Sequence, residues 1–425
     1  MKKIKYNDPE NPRCEILKAM KRARPASRRL CLVCKGSRLL CNQGSCPLLN
    51  YINIRSPVEN KLSDSLFGPS TSVFVGWKLY PDVFVGPMTS INNDDEKAML
   101  FDNPGQWYGQ DINDIIMMRS SLVRSKARHN IYNREKFILD SQEIALSVKP
   151  TDVEIKFKKK PHYSLSFSAV SQPMGPSGIV ERVRITENTS IPKAVDCVVS
   201  DDLKAEDMMI KLKGSGFDVY YLTNVMASGA LGMEQRKKLV PTRWSITAVD
   251  DILGKFFIKN IKNYPAINDY RVYRNEYLSN HFEILLMPGA WEFEQFEAWA
   301  PNTLWTLSRT SPVIVEEHEG HEGRSDYALN EGGGYYAGRL AACEALNNMR
   351  RQARTVIFRE IYEGYIVPVG VWEVRENVRQ AFKNPPGKFS TLKEALEDIK
   401  SHLALPLEDY MKKSEILRQR RLSEY

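Results

Sequence analysis

Four cysteines lie close together near the start of the sequence, at Cys31, Cys34, Cys41 and Cys46. Thiolates are preferred zinc ligands, and four of them can close a tetrahedral structural site. The intervening glycines and small polar residues let the backbone turn tightly between ligands. The spacing therefore predicts a Zn²⁺ site that shapes a surface rather than one that performs chemistry. The alternative is four unrelated reduced thiols, because four residues precede Cys46 where paired sites usually have two.

Basic residues are concentrated at both ends of the chain. Residues 1–30 contain ten Lys or Arg and three Asp or Glu, a net charge of +7, and residues 411–425 carry +3. Because the whole chain carries +8, the body between these ends is close to neutral. A basic segment that runs into the cysteine cluster favours contact with a phosphate backbone. The candidate residues are Arg22, Arg24, Arg28 and Arg29, and a merely solubilising terminus is the alternative.

A third basic group is predicted within residues 111–128. Apolar residues recur there at helical spacing, which predicts an amphipathic helix. Its basic face would contain Arg119, Arg124 and Arg128. Such a face is usually only solvated, but here it adds to the predicted phosphate-binding surface.

Acidic and histidine-rich segments are the candidates for catalysis. His318 and His321, among the carboxylates of residues 316–322, are able to ligate a divalent ion. A charged, solvated loop is the favoured alternative, because a glycine interrupts the segment and no HExxH pattern is present. Further acids would supply acid–base or metal chemistry only if the fold brought them together: Glu292, Glu294, Glu297, Asp250 and Asp251. No motif marks a serine or cysteine nucleophile.

A glycine-rich stretch at residues 330–346 is predicted to open a helix. The free N–H groups of a helix start can hold a phosphate or another anion. The stretch lacks the Gly-Lys-Ser/Thr ending of a P-loop. Close packing of the glycines Gly332 to Gly334 against another element is therefore the favoured interpretation.

The remaining pattern predicts an α+β fold. Apolar runs at residues 72–76 and 82–86 predict a β-hairpin, and alternating runs between residues 151 and 199 predict a sheet with a sharp loop at 173–178. Helices are expected at 203–212 and 217–226, and a further helix is expected with Thr247 as its N-cap.

The predicted domain organisation has four parts. The N-terminal zinc module is followed by a mixed α/β body and a smaller C-terminal α+β domain. The boundaries expected from composition are 1–60 for the basic N-terminus and zinc module, 61–300, 301–410, and 411–425 for a flexible tail. The sequence does not predict an oligomeric state.

Localisation is predicted from two features of the sequence. No apolar run approaches eighteen residues, and no hydrophobic signal peptide follows Met1, so no membrane association is expected. The cysteines outside the cluster are single, at Cys14, Cys197 and Cys343, which is typical of a reducing compartment. We therefore expect a cytoplasmic protein.

Several short motifs, in order along the chain, resemble the archaeal Nre DNA-repair family. Besides the cysteine cluster they lie at residues 74–87, 173–177, 240–248, 332–336, 350–353 and 369–372. The resemblance covers roughly residues 28–410. It implies a role in DNA-damage repair with recruitment by the sliding clamp (PCNA), and it supplies no established catalytic mechanism.

The last seven residues have the spacing of a clamp-binding (PIP-like) peptide, with Gln419, Leu422 and Tyr425 at intervals of three. One turn of 3₁₀ helix places residues three apart on one side, so Leu422 and Tyr425 can enter one apolar pocket. The segment has one aromatic residue where the usual motif has two. The sequence therefore predicts a DNA-binding repair factor recruited by the clamp. The alternatives are a metal-dependent repair nuclease or nucleotide-modifying enzyme, and an RNA-binding protein.

Overall fold

The computed structural model describes residues 47–163, 173–301, 311–365 and 367–418. The helices are α1 (Pro47–Asn60), α2 (Asp95–Asp102), α3 (Ile112–Ser120), α4 (Lys136–Leu146), α5 (Lys193–Val199), α6 (Ala205–Gly214), α7 (Val219–Ala227), α8 (Thr242–Ile261), α9 (Gly333–Met349), α10 (Trp372–Ala381), α11 (Leu392–His402) and α12 (Leu407–Met411). The strands are β1 (Ser65–Val75), β2 (Asp82–Ser90), β3 (Leu122–Asn130), β4 (Thr151–Phe157), β5 (Ser177–Ile185), β6 (Tyr270–Tyr277), β7 (Asn280–Met287), β8 (Glu292–Trp299), β9 (Val313–Glu319), β10 (Arg354–Ile361) and β11 (Gly387–Phe389).

Two compact units divide the chain between residues 256 and 257. The described residues from 51 to 256 form the barrel unit, and those from 257 to 418 belong to the sheet unit. This division and the predicted break near residue 301 fall at different places. The reason is that β8 and β9, on either side of residue 301, pair with each other in one sheet.

The barrel unit is built on five strands closed in the order β1-β2-β3-β5-β4. All pairs are antiparallel except β3 with β5. Helix α4 connects β3 to β4, and its Ile138 and Ile144 pack with valines of the strands in the interior. A small closed barrel of this order, with a helix at that connection, has the arrangement of an OB-type barrel.

The sheet unit contains a six-stranded mixed sheet in the order β11-β6-β7-β10-β8-β9. Helices α9 and α10 pack on one face of the sheet, and α11 and α12 pack on the other. The central strand β7 is buried along its whole length. Its alternate residues therefore enter different cores: Ile284 lies in the α9 and α10 core and Leu285 in the other.

The α+β class is confirmed, as are the β1–β2 hairpin, helices α6 and α7, and the helix that opens after the glycine-rich stretch. Two local predictions were wrong. The apolar run at 194–199 forms helix α5 instead of a strand, and α8 begins at Thr242, so Thr247 lies inside it and does not cap it. Within the described residues, no helix is both long and apolar enough to cross a membrane.

The tail predicted to be flexible comprises residues 411–425, of which the structure describes residues 411–418, and this described part is fixed to the sheet unit. Ser414 and Ile416 are buried, and Ile416 packs in the core with Tyr410. The buried carboxylate of Glu294 accepts hydrogen bonds from the backbone N–H groups of residues 415 and 416, at 2.5 and 3.3 Å, and one from the Ser414 hydroxyl. One apolar and one polar anchor thus fix this charged segment to the sheet.

Candidate nucleic-acid interface

The predicted basic helix at residues 111–128 does not exist as one element. Helix α3 ends at Ser120, and the chain then forms β3. Val123 packs in the barrel interior, so the alternate residues Arg124, Lys126 and Arg128 lie on the outer face of the strand. The helix prediction was wrong, yet the strand still places these cations in one row.

Two of the predicted arginines hold a neighbouring loop. Arg119 donates from Nε to the carbonyl oxygen of Pro173 at 3.2 Å. Arg124 is buried and donates from Nη2 to the carbonyl oxygen of Gly175 at 3.0 Å. A Cβ on Gly175 would lie 1.8 Å from the carbonyl oxygen of Leu122, so only glycine permits this approach. The sharp loop predicted at 173–178 is therefore held by one arginine of α3 and one of β3.

The positive charges on the outer face of β3 and next to it repel one another. Burial, followed by the nearby charges of Arg55 and Arg119, lowers the pKa of Arg124 to about 10. Burial, followed by Arg124 and Lys78, lowers the pKa of Lys126 to about 8. Partly dehydrated cations that repel one another would be stabilised by a bound anion.

Arg128, at the open end of the row, remains accessible. Its side chain is 61% exposed and pairs with Asp82 at 3.2 Å. An exposed ion pair of this kind contributes little stability, so a phosphate can compete for the guanidinium. The structure thus brings Arg124 and Arg128 onto one strand face, with Arg119 beside Arg124.

An exposed aromatic group next to this row was missed from the sequence. The β1–β2 loop carries Trp77 and Tyr80, which are 43% and 41% exposed. The Tyr80 ring lies 5.0 Å from that of Trp244 on α8, and the Arg243 guanidinium lies 5.6 Å from the Trp77 ring. The sequence contained one signal for this group: two aromatic residues on either side of a lysine in a predicted hairpin loop.

The other binding residues predicted from the sequence lie outside the described residues. These are the cysteine cluster Cys31, Cys34, Cys41 and Cys46, the basic residues Arg22, Arg24, Arg28 and Arg29, and the clamp-binding residues Gln419, Leu422 and Tyr425. Within residues 47–163, 173–301, 311–365 and 367–418, no group of three or more His, Cys, Asp or Glu side chains is placed to hold a metal ion.

The acidic candidates in the sheet unit have structural partners. Glu292 pairs with Arg354 at 2.5 Å, and Glu297 pairs with Arg359 at 2.6 Å, while Glu294 anchors residues 414–416. In the barrel unit Asp250 is buried, and Asp251 pairs with Lys255 at 2.7 Å. The structure therefore gives the three glutamates the role of balancing the charge of arginines or fixing a chain segment, whereas Asp251 forms a partly exposed surface ion pair.

Only part of the histidine-rich segment is the solvated loop that was predicted: residues 320–322 form a turn in which His321 and Glu322 are exposed, but the preceding residues lie in a strand. Residues 316–319 belong to β9, where His318 lies 3.5 Å from Glu292 and Glu319 forms a buried pair with Arg339 at 2.7 Å. His321 lies 3.3 Å from the carbonyl oxygen of Trp291. Residues 316–319 form a strand because they pair with β8, and the alternate residues Glu317 and Glu319 find cationic partners in Arg324 and Arg339.

The glycines at the start of α9 serve close packing, as the favoured interpretation had it. A Cβ on Gly334 would lie 2.4 Å from Oε1 of Glu297, and one on Gly338 would lie 2.0 Å from Oε1 of Gln295. Burial, with Glu297 next, raises the pKa of Glu331 well above its usual value. The carboxylate of Glu297, which is paired with Arg359, lies directly against Gly334 at this helix start, so the anion-binding interpretation is not supported.

Comparison with known proteins places the chain in a family. The model described as Archaeal Nre, N-terminal, matches residues 40–306, and the model Archaeal Nre, C-terminal, matches residues 319–425. The chain is 36% identical to DNA repair protein NreA of Haloferax volcanii, over 84% of the chain and 87% of the relative. It is 38% identical to NreA of Archaeoglobus fulgidus (86% and 92% covered) and 38% identical to NreB of the same organism (93% and 99% covered). No solved structure matches the chain. The chain belongs to the archaeal Nre family.

Proposed function

We propose that this protein is a DNA-damage repair factor that binds DNA and is recruited by the sliding clamp. The observation that carries the proposal is the row of cations on the outer face of β3, which continues into Arg119. The relatives that the chain matches over most of its length are named DNA repair proteins.

The electrostatics of this row support the proposed contact with DNA. Lys126 is half-buried, donates to the Ser177 hydroxyl at 2.7 Å, and forms no ion pair with a carboxylate among the described residues. The neighbouring charges that act on its pKa are those of two cations, Arg124 and Lys78. A polyanion neutralises several such charges at once and releases its counterions, so the gain rises with the number of contacts.

We expect the affinity for duplex DNA to fall steeply with salt. On duplex DNA the slope of log affinity against log salt is about −0.9 per phosphate contact. Replacing Lys126 and Arg128 by Met should reduce the slope by about two contacts, or roughly 1.8. Replacing Arg22, Arg24, Arg28 and Arg29 by Ala should reduce it by up to four contacts. Fluorescence anisotropy between 50 and 300 mM salt, about the range in which such slopes are measured, is the assay.

A matched control distinguishes the effect of the β3 surface from the effect of losing a positive charge anywhere on the protein. Arg184 is exposed on the part of β5 that pairs with β4, opposite Glu154. Arg184→Met removes the same charge from another part of the barrel and should leave the slope unchanged. Equal slopes for the wild type and both sets of variants would contradict the proposed surface.

A zinc ion is proposed at the cysteine cluster. One zinc per chain is expected, bound by Cys31, Cys34, Cys41 and Cys46. Cys34→Ser should lose the metal, because a closed four-thiolate site does not tolerate loss of a ligand. Cys197→Ser is the control, since Cys197 is an exposed free thiol elsewhere in the chain. Elemental analysis of protein purified without chelators makes the measurement, and a zinc content near zero in the wild type would disprove the site.

A further inference from the structure

We propose that the β1–β2 loop, the start of α8 and the outer face of β3 form a binding site for single-stranded nucleic acid. Bases would stack on Trp77, Tyr80 and Trp244, while Lys78, Arg243 and Lys126 would contact the phosphates. The inference rests on the proposed DNA-binding function and names the form of nucleic acid that this site takes.

The aromatic side chains are presented by well-fixed backbone. The Val75 N–H donates to the hydroxyl of Thr242 at 2.9 Å, which ties the end of β1 to the first residue of α8. Gly76 N–H donates to the carbonyl oxygen of Phe84 at 2.7 Å and closes the base of the hairpin loop. These two contacts hold Trp77 and Tyr80 next to Trp244. Rings fixed in this way lose little entropy when a base stacks on them.

Cations surround the rings on two sides. Arg243 lies over the Trp77 ring, and Lys78 is exposed between Trp77 and Leu79 in the loop. Lys78 is also one of the two cations whose charge acts on Lys126, so the loop and the β3 row form one positive region. Among the described residues, neither Lys78 nor Arg243 forms an ion pair with a carboxylate. Accessible ring faces can stack on bases, and positive charges without carboxylate partners can contact phosphates. Together they fit a nucleic acid.

Single strands fit this surface better than duplexes do. In a duplex the base faces are stacked on one another, so an exposed ring has no base face to meet. In a single strand each base is free to stack, and proteins that bind single strands combine such rings with a positive groove. By analogy of fold, OB-type barrels bind oligonucleotides on strands 2 and 3 and on the loop between strands 1 and 2, where this cluster lies.

The test compares oligonucleotides with the full-length protein and a variant that keeps Tyr80. Trp77→Ala/Trp244→Ala should weaken binding of a labelled oligo(dT) of about twenty nucleotides by roughly 100-fold, since each stacked base contributes about tenfold. Affinity for a duplex of the same length should change by less than about threefold, because phosphate contacts dominate there. Trp77→Phe/Trp244→Phe keeps the ring faces and should restore most of the affinity.

Phe67→Ala is the matched control. Phe67 is an equally exposed aromatic residue, at 49%, but it lies on the part of β1 that pairs with β4. Its removal should leave oligo(dT) binding unchanged. Thermal unfolding of every variant checks that the fold is kept, and because the replaced rings are exposed the melting temperatures should agree.

The outcomes separate this inference from the proposed function. Oligo(dT) binding that survives Trp77→Ala/Trp244→Ala, or wild-type protein that binds only duplex DNA, overturns the stacking site and leaves the DNA-binding proposal standing. A wild-type protein that binds no DNA of any form overturns both. An oligo(rU) arm distinguishes the two nucleic acids: binding of RNA alone supports the stacking site but contradicts a DNA-repair role.

Discussion

Replacing Arg359 by Met is expected to lower the free energy of unfolding by about 3–5 kcal/mol at pH 8. Arg359 is buried in β10 and pairs with Glu297 at 2.6 Å and with Glu373 at 2.9 Å. It also donates to Oδ1 of Asn280 at 2.8 and 3.0 Å. Removing the guanidinium leaves two buried carboxyl groups without their cation, and this is far more costly than losing an exposed ion pair.

The cost of this substitution should depend on pH. Burial raises the pKa of Glu373 from its usual 4.5 to about 7, although Arg359 opposes the shift. The folded state therefore binds this proton more tightly than the unfolded state does. The resulting stabilisation is fully present below about pH 4.5 and is lost as the pH rises through about 7. At pH 5 the Glu373 carboxyl is neutral, so Arg359→Met should be less costly there than at pH 8.

Urea denaturation followed by circular dichroism at pH 5 and pH 8 measures the effect. Arg351→Met is the control: Arg351 is exposed in the same unit, and within the described part of the chain its guanidinium donates only to the carbonyl oxygen of Arg350, at 3.0 Å. The control should change stability by less than about 0.5 kcal/mol. A cost for Arg359→Met below about 1 kcal/mol at pH 8, or an equal cost at both pH values, would contradict the assigned role of this cluster.

Elements with strong local signals could be predicted from the sequence. The β1–β2 hairpin and helices α6 and α7 follow from alternation or helical spacing over a few residues. Residues 122–128 were predicted to be helical but form a strand. The prediction failed because arginines and lysines on the outer face of a strand fit a helical pattern equally well. The segment is a strand because it pairs with β2, where Arg128 lies opposite Phe84 and Arg124 lies opposite Met88. That pairing joins residues about forty apart, which no local pattern contains.

The candidate interface illustrates the same limit. The residue types of Trp77, Lys78 and Tyr80 are visible in the sequence, but their approach to Trp244 depends on where α8 begins. The contact of Thr242 with β1 lies at that start, whereas Thr247 as the predicted N-cap placed the start of the helix six residues later. Barrel closure, in which β1 pairs with β4, likewise joins segments that are distant in the chain. The residue types of the site are visible in the sequence, but neither their role nor their convergence was predicted from it.

For the acidic residues the sequence suggested a functional site where the structure shows structural ion pairs and hydrogen bonds. Three glutamates within six residues of β8 have the composition of a catalytic cluster, yet each is matched to a buried partner elsewhere in the sheet unit. Arg354 and Arg359 come from β10, about sixty residues away, and pair with Glu292 and Glu297 across the parallel β8–β10 ladder. These glutamates are buried together with the arginines that neutralise them, which is a structural role. Only the register of the sheet shows which residues are paired.

The second large effect is expected for the proposed recruitment by the sliding clamp. Deleting residues 419–425 should abolish clamp binding, because Gln419, Leu422 and Tyr425 supply all the predicted contacts. The deletion starts directly after a fixed point: Arg418 donates from Nε to the carbonyl oxygen of Ser414 at 2.6 Å, and Ile416 is buried. Folding, zinc content and DNA affinity should therefore stay close to those of the intact chain.

Point variants within this segment sharpen the test of clamp binding. Leu422→Ala and Tyr425→Ala should each weaken the complex at least tenfold, because one apolar pocket is expected to take both side chains. Ser423→Ala is the matched control, since position 423 faces away from that pocket in one 3₁₀ turn and should be neutral. With a single aromatic anchor, the intact segment should bind with a dissociation constant of about a micromolar. Lys412 and Lys413 should add a salt-sensitive attraction to an acidic clamp surface. Titration calorimetry with the cognate clamp makes the measurement, and equal affinities for the intact and truncated chains would show that residues 419–425 do not recruit this protein.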